Sequence, residues 1–387
     1  MKQPRAYRYR CYPTSAQAAI LVRMFGCARY VYNWALQVRN VAYKERQEHL
    51  GYKETSAALT TLKQQPETAW LNEVSSVPLQ QALRHLDTAF KNFFAQRARY
   101  PRFKKKRGKQ SATYVSSAFR YEIQTRTLTL AKMEMPLAIH WSRPLPEGVQ
   151  PTTVTISQDT AGRYFVSFLV EEEIAPLPVT SGQVGIDLGL HDVVVFDSGE
   201  KVGNPHFFAQ DEQKLVKAQR RLAKKQRGSK NRDKARRKVA RLHARIADRR
   251  TDFLHKLSTR IIRENQTVCI ESLAVKAMGK HPTLAKAIHD VGWGEFVRLL
   301  TYKAARYGRT LVQIDRWYPS SKQCSACGQV LGALSLDVRQ WICPACKSEH
   351  DRDVNAARNI LAVGLTVAAC GETVRPARAS VRPGAAR

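Results

Sequence analysis

The chain has 387 residues, 64 of them Lys or Arg and 32 Asp or Glu, for a formal net charge of +32. With 43% hydrophobic residues it can bury two or three domain cores, which excludes a disordered basic tail and places the charge excess on a folded body. Such a body fits a polyanionic partner, nucleic acid first. No run of about 18 apolar residues, apolar signal core, lipidation motif or long basic amphipathic anchor occurs, so no membrane partner and a cytoplasmic, prokaryotic-type, nucleoid-associated protein are expected.

Residues 5–12, AYRYRCYP, set Tyr7, Tyr9 and Cys11 against Arg8, Arg10 and Tyr12, the period of a half-buried strand. Pro13 ends it, and Thr14 or Ser15 can cap the helix that follows. From Ala16 to about Phe94 the pattern is helical. One apolar stripe runs through Cys27, Tyr30, Val31, Trp34, Val38 and Val41, and a second through Leu79, Leu83, Leu86, Phe90 and Phe93 or Phe94. Both are expected to be core. Arg102, Lys104, Lys105 and Lys106 then interleave with Tyr100 and Phe103, a combination suited to phosphate contact and base stacking. Residues 112–173 read as short strands with a hairpin turn at Asp159–Gly162. One strand before the helices and several after suggest a β-barrel with a helical insertion. Pro176, Pro178 and Thr180-Ser181-Gly182 mark a linker.

Gln183–Gly189 is an apolar strand interrupted in its middle by one carboxylate, Asp187, a costly arrangement unless the charge is paired or bound to metal. Gly185 and Gly189 are expected to let the backbone approach a phosphate closely. A second strand, HDVVVFDSGEKV, begins a meander. Residues 210–263 form a basic helical pair, with Lys224, Lys225, Arg227, Arg236 and Arg237 near its turn. A solvated helix usually mixes signs, and this one does not, so phosphate tracking is expected. Thr267–Leu273 is another buried strand, ending in the carboxylate Glu271; a helix and the strand TLVQIDRWY follow.

Cys324 and Cys327 form one C-x2-C knuckle, and Cys343 and Cys346 a second after fifteen intervening residues, the spacing of a four-thiolate structural Zn²⁺ site. A pair of disulfides or a redox C-x-x-C is the weaker alternative. Cys11, Cys27, Cys269 and Cys370 are expected to be reduced thiols. After the ribbon, Ala356, Ala357, Ile360 and Leu361 follow Asp353 at i+3, i+4, i+7 and i+8, which places Asp353 at a helix start on the buried side. A plain N-cap is the other role for such an Asp.

Strand–hairpin, helix, strand, helix, strand, helix is an RNase H-like order, in which strand ends and helix starts gather at one edge. Asp187, Glu271 and Asp353 are therefore candidate ligands of Mg²⁺ or Mn²⁺, hard cations held through oxygen. Two such ions suit phosphodiester hydrolysis.

GIDLG, IESL, the two knuckles and HDRDVNAARNI, with ARYVYNWAL and YPRFKKK upstream, resemble the transposon-encoded TnpB (OrfB) proteins, compact relatives of type V CRISPR nucleases, over roughly residues 5–365. The resemblance implies a multidomain α+β chain: a wedge-type β-barrel with a helical insertion, then a RuvC/RNase H-like α/β nuclease domain that contains the zinc ribbon. The expected division is 1–12 and 111–178 for the barrel, 13–110 for the helical recognition lobe and 179–318 for the nuclease domain. It continues with 319–349 for the ribbon, 350–364 for the final helix and 365–387 for a flexible basic tail. The resemblance also implies a guide RNA from the transposon end, double-stranded target DNA beside a short flanking motif, and no small-molecule substrate. The family's catalytic acids fall on Asp187, Glu271 and Asp353. An unguided RuvC-like nuclease or transposase, or a non-cutting RNA-bound repressor, are the alternatives; the intact acids argue against the repressor.

Overall fold

The structure is a computed structural model and describes residues 2–335 and 337–369. Cys370 and the basic tail after it lie outside the described residues. The chain divides into two compact units, residues 1–173 with 222–241, and 174–221 with 242–387.

In the first unit, β1 (Lys2–Cys11) leads to α1 (Ser15–Arg46), α2 (Tyr52–Gln64) and α3 (Ser76–Phe94). Pro13 cannot donate to a ladder, and Thr14 starts α1 with a capping box. Its hydroxyl accepts from the Gln17 amide at 3.3 Å, and the Gln17 side chain accepts from the Thr14 amide at 3.1 Å. The strands β2 (Gln110–Val115), β3 (Phe119–Glu122), β4 (Thr127–Leu130), β5 (Ile139–His140), β6 (Thr153–Gln158) and β7 (Tyr164–Glu173) follow. Five of the strands form an antiparallel sheet in the order β2-β6-β7-β1-β5, with β1 paired to β7 along its whole length. Tyr7, Tyr9 and Cys11 are buried, as the alternation requires.

The sheet's hydrogen-bonded order is open at β2 and β5, and β3–β4 pair separately. Ring packing covers the interior instead: Trp141 lies 5.5 Å from Phe168 and 4.8 Å from Tyr9, with Tyr121 of β3 5.4 Å from Phe168.

The helix stripes are corrected in part. On α1 the buried positions include Leu21, Ala28, Val31, Ala35 and Leu36, while Tyr30 is 37% exposed. The small alanines let α1 pack closely, so the core face is rotated from the one the aromatics mark. On α3, Leu79, Leu83 and Leu86 are buried, but the stripe surfaces at its C-terminal end, where Phe94 is 68% exposed.

In the second unit, β8 (Gln183–Asp187), β9 (Asp192–Phe196) and β10 (Lys201–Gly203) precede the long helices α4 (Phe207–Ala223) and α5 (Lys230–Glu264), of which residues 222–241, with the turn between the helices, are counted in the first unit. Then come β11 (Thr267–Glu271), α6 (Val275–Met278), α7 (Ala285–Val291), α8 (Trp293–Tyr307) and β12 (Thr310–Ile314). The ribbon strands β13 (Gln340–Ile342) and β14 (Glu349–Asp351) follow, and α9 (Arg352–Ala369) continues past the expected helix end at 364. The sheet order is β10-β9-β8-β11-β12, with β8, β11 and β12 parallel and the β8–β9–β10 meander antiparallel. Leu254, Leu257 and Ile261 of α5 and Phe296, Leu299 and Leu300 of α8 pack in one core with the sheet. Ile360 of α9 packs with Cys269, Val312 and Ile314 in another.

Asp187 is the last residue of β8 rather than its middle. The strand stops there because the chain turns tightly: a Cβ on Gly189 would lie 2.6 Å from the Asp192 carbonyl oxygen. Gly185 also serves packing rather than a phosphate. A Cβ there would collide with the Ala357 carbonyl oxygen and lie 2.7 Å from the Leu361 Cβ, so α9 lies flush on β8 only over a glycine. Gly185→Ala is expected to destabilise the fold by about 3 kcal/mol, since backbone on both sides must move. Denaturant titration checks this, and a cost below about 1 kcal/mol would contradict the contact.

Candidate metal cleft and thiolate centre

The four ribbon cysteines converge. Their sulfurs lie within 4.8 Å of one another, with Cys324–Cys346 at 3.6 Å and Cys327–Cys343 at 3.7 Å. A disulfide would bring sulfurs to about 2.05 Å, whereas a tetrahedral metal with bonds of about 2.3 Å spaces its sulfur ligands about 3.8 Å apart. The observed distances fit a metal. Among the described residues, no other group of three or more His, Cys, Asp or Glu donors converges so tightly.

Around the knuckles are side chains that sequence reasoning passed over. His350 is buried, packs against Trp341 with ring centres 4.6 Å apart and the planes tilted by 38°, and brings Nε2 to 3.0 Å from the Cys324 sulfur, where a thiolate accepts its N–H. Asn355 and Asn359, buried one turn apart on α9, each donate to the Gln323 carbonyl at 2.7 Å and also reach the Ser320 carbonyl. The Asn355 carbonyl accepts from the Ser325 amide at 2.9 Å. The first knuckle is thus clamped to the helix that begins beside Asp353. Two Asn four residues apart on an otherwise Ala-lined face were the available signal.

Asp187 at the end of β8, Glu271 at the end of β11 and Asp353 in the first turn of α9 are all half-buried and line one cleft of about 550 Å³. The parallel pairing of β8 with β11 brings the first two strand ends together, and α9 adds the third carboxylate. Their oxygens do not converge as tightly as the thiolates, and Arg339 draws Asp353 away through contacts of 3.2 Å to both of its oxygens. Arg316, Lys322 and Trp317 also line the cleft.

Burial, then the neighbouring Asp353 and Glu271 carboxylates, push the Asp187 carboxyl up from 3.8 to about 7; burial also raises Glu271. Folded Asp187 therefore holds its proton more tightly than the unfolded chain does. Its contribution to stability is present below about pH 4 and is lost as pH rises through about 7. In chelator, Asp187→Asn is expected to melt higher than the wild type, by about 2–4 °C for each kcal/mol relieved, with the gap widening from pH 5 to pH 8. A gap that stays constant with pH would refute the charge crowding.

Asp351 plays a different part. Its Oδ1 accepts from the Asp353 and Val354 amides at 3.1 and 3.0 Å, and its Oδ2 binds the Lys201 ammonium at 2.6 Å. Burial works against this carboxylate's charge, but the Lys201 ammonium and the two amides hold its pKa below the usual range. The cap of α9 is therefore Asp351, so Asp353 is not needed there and lines the cleft beside Arg339.

The basic residues are spread over two places. Lys224, Lys225, Arg227 and Arg237 are exposed about the α4–α5 turn, while Arg236 is half-buried and pairs with Asp233 at 3.4 Å. Arg102, Lys105 and Lys106 are exposed; the Lys104 ammonium lies 4.0 Å from the centre of the Tyr32 ring, and its backbone is held by Asn33. No helix among the described residues is long and apolar enough to cross a membrane.

Three family models match the chain: OrfB, described as a probable transposase, over 167–281; the TNB domain of Cas12f1-like proteins over 293–360; and a helix-turn-helix domain of OrfB over 1–48. The last stretch contains β1 and the single long helix α1. A Streptomyces pristinaespiralis protein named as an RNA-guided DNA endonuclease is 58% identical over 98% of this chain and 94% of its own length. The Escherichia coli K12 protein InsQ, of the same name, is 32% identical over 98% of this chain and 96% of its own. Among solved structures, Cas12f1 in complex with sgRNA and target DNA shares the fold with a TM-score of 0.56 at 14% identity, covering 90% of this chain and 83% of that one. The mini-RNA-guided endonuclease CRISPR-Cas_phi3 gives 0.53 at 8% identity, covering 94% and 92%.

Proposed function

Given that the chain belongs to the TnpB (OrfB) family, as its identity to near-full-length relatives shows, we propose that it is a transposon-encoded, RNA-guided DNA endonuclease. The observation that carries this reading is that Asp187, Glu271 and Asp353 line one cleft together with the cations Arg316, Lys322 and Arg339. We read the first unit as a wedge-type barrel with a helical recognition insertion and the second as a RuvC-like nuclease domain carrying a zinc ribbon. The guide would come from the transposon end, and the double-stranded target would lie next to a short flanking motif. The protein would work in the cytoplasm on the nucleoid.

Three oxygen donors, crowded enough that one holds a proton near neutrality, fit hard divalent cations such as Mg²⁺ or Mn²⁺. Bound there, such ions supply an activated water and stabilise the leaving oxygen of a phosphodiester. The chain's own groups do the rest. Asp187 and Glu271 would hold the ions from strand ends, and Asp353 would do so from a helix whose cap is already filled. Arg339, Arg316 and Lys322, which line the same cleft, would orient the phosphate. The four-cysteine centre suits Zn²⁺ because four thiolates in a closed shell leave no open position for catalysis.

The test is to purify the protein with its RNA, quantify nuclease-resistant RNA, and assay cleavage of a target matching that RNA with and without Mg²⁺. Equal cutting of unmatched DNA would favour an unguided nuclease; matched binding without a divalent-dependent cut would favour a repressor.

Affinity for nucleic acid is expected to fall steeply with salt, because each neutralised phosphate releases counterions. Replacing Lys224, Lys225 and Arg227 together with Ala should reduce the slope of log affinity against log salt by about 2–3. An unchanged slope would show that these side chains face only solvent.

A further inference from the structure

The α3 apolar stripe that surfaces at Phe94 does not end on open surface. It forms one wall of a cavity of about 500 Å³ in the first unit, between the C-terminal parts of α1 and α3 and the segment at Tyr100. That volume falls within the range of about 300–1,000 Å³ usual for small-molecule pockets. Its walls are rings: Phe90 and Phe94 stack at 6.3 Å, and Tyr100 meets Phe90 and Phe93 edge-on at 5.6 and 5.2 Å. Tyr43 also lines it, and Phe94 and Tyr100 remain 68% and 45% exposed, offering ring surface that no protein group covers.

Arg39, buried in the same wall, gives one guanidinium N–H to Asp87 at 2.9 Å and lies 4.9 Å from the Phe90 ring centre. Its Nε is buried and without a hydrogen-bond partner. That nitrogen is sealed from the pocket, so what the walls offer is ring faces for a flat ligand. A nucleobase is such a ligand.

The surroundings say how such a base would arrive. Tyr100 is tied to α1 by its hydroxyl, which donates to Asn40 at 2.5 Å, and Lys104 is tied to the same helix by Asn33. The chain between them runs along α1 and carries the exposed Arg102, and the exposed cations Lys105, Lys106 and Arg107 follow directly after Lys104. Phosphates on either side of an inserted base would meet them. Glu48 and Asp87 also line the pocket, paired with Arg46 at 2.9 Å and with Arg39 and Lys91 at 2.9 and 3.0 Å, and their remaining lone pairs can accept from a ribose 2′-hydroxyl, the group that distinguishes RNA from DNA.

We propose that this pocket captures one unpaired nucleobase of a bound RNA, stacked against Phe94 and Tyr100. The site belongs to the first unit, shares no residue with the carboxylate cleft, and stands whether or not the chain cuts DNA.

Two exposed substitutions test it, Phe94→Ala and Tyr100→Ala, each first confirmed to melt like the wild type. The probe is a short single-stranded RNA with 2-aminopurine placed in turn at each position, titrated with the full chain. In the wild type one position is expected to be quenched strongly. Each variant should abolish that quenching and weaken binding about tenfold, as loss of a base–ring stack does. Quenching and affinity unchanged in both variants would overturn the proposal. So would equal binding and quenching of the same sequence as DNA, or self-association that Phe94→Ala removes, which would make a second copy the occupant.

Discussion

Asp353→Ala is expected to lower the cleavage rate by about 10³-fold or more while RNA and target binding stay within about twofold of the wild type, because a lost metal ligand acts on the transition state rather than on docking. Asp351→Ala is the control that makes this sharp. It removes the cap of α9 and the Lys201 pair, so it should cost about 1 kcal/mol of stability and keep substantial activity. Asp187→Ala and Glu271→Ala should behave like Asp353→Ala, and the triple variant should be little worse than any single one, as for groups acting as a unit. Initial rates on a matched target, with binding measured separately, decide it. If Asp351→Ala is inactive and Asp353→Ala still cuts, the third ligand has been misassigned.

Cys343→Ser is expected to empty the thiolate centre. A closed structural site gives up most of its folding free energy when one thiolate goes, so metal measured by mass spectrometry should drop to near zero per chain. The effect should spread by a specific route. Asn355 and Asn359 hold the first knuckle through the Gln323 and Ser320 carbonyls, and Cys324 sits against His350, three residues before Asp353. Loosening the knuckles therefore loosens the start of α9. Cleavage should fall well below wild type while guide-RNA binding changes little. Wild-type metal stoichiometry in the variant would sink the assignment.

What the sequence disclosed follows from how local each signal is. Knuckle spacing and the i, i+3, i+4 face after Asp353 need only a few neighbouring residues, and both could be read directly. The position of Asp187 could not: nothing within Gln183–Gly189 marks where the strand stops, because the turn is forced by the approach of the Asp192 carbonyl. The glycines were misread for a related reason. Gly185 looks like a ligand-approach site until α9, far along the chain, is seen to occupy its missing Cβ. Tyr30 misled because a ring at helical spacing resembles core, while the buried face of α1 is set by Leu21, Val31 and Leu36 with Ala28 and Ala35, alanines with little apolar weight, among them. Asn355 and Asn359 carry no weight in a periodicity count, and only their partners reveal the clamp.

Among the described elements α9 comes last in the chain, yet it covers β8 and supplies Asp353. This sets an order on biosynthesis. At about 5–20 residues per second, β1 can find β7, and the first unit can consolidate, many seconds before α9 leaves the ribosome. Until then the cleft has two carboxylates and the sheet an uncovered apolar face. A nascent or prematurely terminated chain can have its first unit formed before Asp187, Glu271 and Asp353 are together, so any chemistry that needs all three begins only when translation is nearly finished.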